Sequence, residues 1–103
     1  MSVKIINEDN KVIALLSGEI DHHNAKSLRQ DIDFSLRENQ TEELIMDFSE
    51  VGFMDSSGIG LVMGRYKLMQ EIGGNLVVRN PPPHIKKVMR LSGIDRLASI
   101  CNV

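Results

Sequence analysis

The chain has no tryptophan, one tyrosine and three phenylalanines. Its core must therefore be aliphatic, with methionines such as Met46, Met63, Met69 and Met89 filling gaps rather than lining a cofactor box. Cys101 is the single cysteine, which excludes an internal disulfide, agrees with a reducing compartment and reads as a small core residue. A basic surplus is missing as well: the formal net charge is −2, so no field favours direct contact with nucleic acid. There is no apolar run of about eighteen residues and no charged-then-apolar leader. Membrane association is not expected, and the chain is expected to stay in the cytoplasm.

Several chemistries are also absent. No Walker loop and no G-x-G-x-x-G after a strand offers a nucleotide site of known type. Without a G-x-S-x-G elbow, Ser56 or Ser57 with His22, His23 or His84 makes a poor hydrolase. His22 and His23 are adjacent, and neighbours on an extended segment point opposite ways. With no third ligand motif, neither a metal nor any other cofactor is expected. Lys86, Lys87 and Arg90 read as a solvated face in the last turns of a helix, where positive charge suits the dipole.

What is present organises 103 residues into one domain, residues 1–103, able to bury roughly two-thirds of its extended surface. Val3 to Ile6 and Lys11 to Ser17 are β-rich runs joined by Asn7, Glu8, Asp9 and Asn10, which predicts a hairpin. Val12 to Leu16 are apolar without alternation, as in a strand inside a sheet and covered on both faces. Gly18 to Asn24 form a loop in which Asp21 or Asn24 can cap a helix. Ala25, Leu28, Ile32 and Leu36 then recur at three and four, an amphipathic helix ending near Asn39. Leu44 to Phe48 is a strand; a second helix runs to Ile72, where Gly73 and Gly74 stop it. Leu76 to Val78 is a buried strand. Pro81 to Pro83 lead into a helix with Ile85, Val88, Met89 and Ser92 on one face, stopped by Gly93. A short strand from about Leu97 to Cys101 completes the order β-β-α-β-α-β-α-β. The fold class is α/β: a mostly parallel sheet entered by a hairpin, with helices packed on it.

The second helix opens inside FMDSSGIGLVMGRYK, Phe53 to Lys67. Asp55 or Ser56 can cap it by accepting first-turn amides. One side chain suffices for that, so the other and Ser57 are spare polar groups at a positive helix end, where a phosphate can sit. Glycine costs roughly 1 kcal/mol relative to alanine inside a helix, so Gly58, Gly60 and Gly64 need a reason. Gly60 and Gly64 lie four apart on one face. That face serves either tight helix-to-sheet packing or the docking of a partner.

Together, Gly18 to Asn24 (GEIDHHN), FMDSSGIGLVMGRYK and Leu91-Ser92-Gly93 resemble the anti-sigma factor antagonists of the STAS domain family, the domain shared with sulphate transporters. The likeness spans almost the whole chain and is greatest to the sporulation-type member. The resemblance implies a STAS-like fold and a non-enzymatic partner switch. Ser56 would be phosphorylated by an anti-sigma factor that is itself a serine kinase. The unphosphorylated form would bind that kinase and release a sigma factor, and a serine phosphatase would reset it. Asp55, Ser57 and Gly58 would surround the phosphate, and Glu19, Asp21 and His22, with Gly60 and Gly64, would meet the partner. Members commonly carry one more C-terminal helix, whereas the elements predicted here end with a strand. The alternative is a ligand- or nucleotide-binding module of the same fold, with an anion at the helix mouth and no phosphorylation.

Overall fold

The computed structural model describes residues 2–103. In chain order the elements are β1 (Ser2–Glu8), β2 (Lys11–Ile20), α1 (Ala25–Glu38), β3 (Glu43–Met54), α2 (Ser56–Glu71), β4 (Asn75–Arg79), α3 (Pro83–Leu91), a 3-10 turn (Ile94–Arg96) and β5 (Ser99–Cys101). The strands form one sheet in the order β1-β2-β3-β4-β5, with β1 antiparallel to β2 and the remaining pairs parallel. The predicted fold class is therefore the observed one. The hairpin closes through Asp9, whose φ of 51° is a conformation that aspartate tolerates at turns.

Each parallel strand is laid down on the same side of its predecessor. With right-handed crossovers, this puts α1, α2 and α3 on a single face of the sheet. Val12, Ala14 and Leu16 of β2, Leu44, Met46 and Phe48 of β3, and Leu76 and Val78 of β4 point into that face. There they pack with Leu28, Ile32 and Leu36 of α1, Leu61, Val62 and Met69 of α2, and Ile85 and Met89 of α3. Of the two covered faces expected for β2, the helices therefore supply one. Ile13, Ile45 and Val77 are aligned across the opposite face, and Ile13 and Ile45 are buried there without joining the helical core.

Several boundaries move. Both β2 and β3 run past their predicted ends, through Gly18 to Ile20 and through Ser49 to Met54. Their extensions pair with each other, Glu19 opposite Phe53 and Ile20 opposite Met54, across two register shifts. This long-range pairing leaves little local signal. The third helix spans Pro83–Leu91, so of its cations only Arg90 lies in the last turn, with Lys86 and Lys87 in the middle. Val88, expected on the buried face of that helix, is exposed. After Gly93, at φ 84°, a 3-10 turn that was not predicted buries Ile94 and delays β5 to Ser99.

Candidate functional site

Because β2 and β3 end side by side, the loop after β2 and the start of α2 become neighbours. The amide of Asp55 donates to the Ile20 carbonyl at 3.1 Å. The loop is held by its own polar groups. Asp21 Oδ1 accepts from His23 N at 2.9 Å, Asn24 Oδ1 accepts from Asp21 N at 3.0 Å, and Asn24 Nδ2 donates to the Glu19 carbonyl at 2.8 Å. Neither Asp21 nor Asn24 caps α1 with its side chain, because both are engaged in this turn. The turn also brings the rings of His22 and His23 to a centroid separation of 3.9 Å. They do not diverge as they would on an extended segment. His22 Nδ1 lies 4.0 Å from Asp55 Oδ2, which places Glu19, Asp21 and His22 around the mouth of α2.

At that mouth Asp55 is the cap, its Oδ1 accepting from Ser57 N at 2.8 Å. Ser56, the first helical residue, is exposed, and its hydroxyl makes no hydrogen bond to any described residue. The two serines face different surroundings. Ser56 borders an open cleft of about 490 Å³ with Met54, Asp55, Ile59, Val88, Leu91 and Ser92. Leu91 there is 80% exposed and Val88 37%. Ser57 borders a groove of about 320 Å³ between α1 and α2, together with Gly60 and Gly64. Gly60 and Gly64 thus lie on the flank of α2 away from the Ser56 cleft.

The three helical glycines separate in the same way. A Cβ on Gly58 would collide with Met54 and come within 3.2 Å of Ile20 Cγ2, so Gly58 is a packing requirement where α2 crosses the ends of β2 and β3. A Cβ on Gly60 or Gly64 would meet nothing within 4 Å. Tight packing against the sheet is therefore excluded as the reason for those two.

The α3 side of the cleft is positioned by polar contacts too. His84 Nε2 lies 2.9 Å from the Gly52 carbonyl and pins the start of the helix to the β3 extension. Ser92 Oγ donates to the Val88 carbonyl at 2.6 Å and closes its last turn. The sequence pattern puts Val88 on the core face and Leu91 only in a motif. The exposed pair is legible only as an i, i+3 spacing set off from Ile85 and Met89 by one helical face.

On the helix-free face, Asp47 is buried. Its Oδ2 accepts from Arg79 Nε at 2.7 Å, and its Oδ1 from the Ser49 hydroxyl and amide at 2.7 and 2.9 Å. Burial alone would raise its carboxyl pKa, but the Ser49 hydrogen bonds and the Arg79 guanidinium outweigh it and hold the group below its ordinary value. No group of three or more histidine, cysteine, aspartate or glutamate side chains among the described residues could hold a metal. No helix among them is long and apolar enough to cross a membrane.

The STAS domain model matches residues 2–103. An anti-sigma F factor antagonist from Paenibacillus polymyxa is 33% identical over 97% of this chain and 87% of its own length. Another from Lysinibacillus sphaericus is 35% identical over 81% of this chain and 71% of its own. The solved structure of the anti-sigma factor antagonist SpoIIAA in its unphosphorylated form superposes with a TM-score of 0.86 at 29% identity, covering 99% of this chain and 88% of that one. The phosphorylated form of the Bacillus cell fate determinant SpoIIAA gives 0.79 at the same identity, covering 99% and 91%. The chain belongs to the STAS domain family, among the anti-sigma factor antagonists of the sporulation type.

Proposed function

We propose that this chain is a phosphorylation-controlled partner switch in which Ser56 is the acceptor. Unphosphorylated, it binds an anti-sigma factor serine kinase and frees a sigma factor; phosphorylated, it lets the kinase go, and a serine phosphatase restores it. The observation that carries the reading is the division of labour at the mouth of α2. Asp55 performs the capping, which leaves Ser56 exposed at the rim of an apolar cleft. A relative solved in both phosphorylated and unphosphorylated forms supports it.

The energetics suit such a switch. A phosphoserine adds roughly −1.5 to −2 charges, and the helix dipole offsets that by only about 0.3 to 1 kcal/mol. Asp55 beside it adds negative charge. Against an acidic group of a partner about 6 Å away, each like-charge pair costs on the order of 1 to 3 kcal/mol, roughly a ten- to hundredfold loss of affinity. Ser56 itself is exposed, so the domain takes up the phosphate without refolding. Glu19, Asp21 and His22 on one side, with Ile59, Val88 and Leu91 on the other, frame the contact surface.

The test is binding of the purified chain to the anti-sigma kinase of its own organism. Ser56→Ala should bind and resist release by ATP, while Ser56→Asp should bind at least tenfold more weakly. Equal affinity of Ser56→Asp and wild type would remove charge at this position as the switch.

A further inference from the structure

The sheet ends on β5, a strand of three residues that pairs with β4 alone among the described residues. The Cys101 carbonyl accepts from Asn80 N at 2.8 Å and so faces the β4 side. Backbone groups alternate sides along a strand, which turns the N–H and C=O of Ile100 outward, off the sheet. An open edge of this kind is a template for one more strand.

The surroundings of that edge have a sign of their own. A groove of about 420 Å³ lies between β5 and α3, and Lys86, Arg90, Asp95, Arg96, Leu97 and Ile100 are in its wall. Lys86 and Arg90 stand four apart on one flank of α3, and Arg96 follows in the 3-10 turn. None of these three cations is ion-paired among the described residues. Three cations against one acid, Asp95, give the groove a surplus of two positive charges, the reverse of the chain's formal −2. The opposite edge, β1, carries one cation and one acid, Lys4 and Glu8, and has no such bias.

We propose that the β5 edge docks an extended acidic segment of a partner protein, which joins the sheet as a further strand beside Ile100. Side chains of an added strand alternate between the two faces of the sheet, so every second residue turns toward the α3 flank. Acidic side chains at those positions meet Lys86, Arg90 and Arg96, and Leu97, 43% exposed, offers an apolar contact. The same cations disfavour a second copy of the chain. Pairing two β5 edges about a two-fold axis through the sheet would set one basic flank against the other. This docking does not depend on phosphorylation of Ser56.

The experiment titrates the full 15N-labelled chain with a blocked hexapeptide of alternating glutamate and valine, following backbone amides and their exchange with solvent by NMR. Saturable shifts at Ser99 to Cys101 are expected. Exchange of the Ile100 amide should slow roughly tenfold or more, because an added strand gives that N–H an acceptor. Arg90→Gln and Arg96→Gln, exposed substitutions whose spectra report their own fold, should each weaken binding roughly two- to fivefold. The same peptide with glutamine in place of glutamate should bind roughly tenfold more weakly or worse. Equal binding of the glutamine peptide, saturation that leaves Ile100 exchange unchanged, or no saturable shift at β5 would each overturn the proposal. Slow Ile100 exchange in the peptide-free chain that quickens on dilution would overturn it too, by showing a second copy on the edge.

Discussion

Asp55 Oδ1 accepts the backbone amide of Ser57 at 2.8 Å, and this bond decides which of three adjacent polar residues is spared for chemistry. A cap of this kind contributes about 0.5 to 2 kcal/mol. Asp55→Ala should therefore lower the unfolding free energy by that amount in urea titrations, and Asp55→Asn should retain most of it. Ser56→Ala, which removes no cap, should stay within about 0.5 kcal/mol of wild type.

The glycines of α2 should answer alanine with opposite signs. Gly60→Ala and Gly64→Ala add a methyl to open space and should stabilise the chain by up to about 1 kcal/mol each. Gly58→Ala forces Met54 and Ile20 apart and should cost about 1 to 3 kcal/mol. Thermal melts of the three single variants check both signs.

This split shows where sequence reading stops. The 3.6-residue period of α1, the proline-opened start of α3 and the apolar runs of β3 and β4 are local signals, and each yielded its element. The sequence placed three glycines in one helix but could not say which of them faces Met54, because that depends on β3 continuing to residue 54 beside β2. The same extension carries Glu19 and Asp21 to the mouth of α2. The partners of Asp47 and Arg65 lie 32 residues away in each case, Arg79 and Asp33, beyond any periodic pattern. The exposure of Val88 and Leu91 follows from the rotation of α3 on the sheet, which its own spacing does not fix.

Asp47 should leave a signature in acid. Its pKa is held down in the folded chain while the unfolded chain titrates near the ordinary value of about 3.9. Its contribution to stability is therefore fully present above the unfolded pKa and is lost as pH falls through the folded one. Asp47→Asn should flatten the acid limb of the stability-against-pH curve. An unchanged limb would assign acid sensitivity to other carboxylates.

Leu91 is 80% exposed beside Ser56, so Leu91→Glu should change stability by no more than about 0.5 kcal/mol. A charge at the centre of an apolar contact should nevertheless weaken kinase binding roughly tenfold or more. Calorimetry of binding and a urea curve on the same preparation separate the two effects.

The central claim is that Ser56 carries the switch, and the most direct measurement is intact mass with phosphosite mapping on the chain isolated from the cells that make it, before and after phosphatase treatment. The account predicts one removable phosphate confined to Ser56. A phosphate on Ser57 instead, or none under any growth condition, would contradict it.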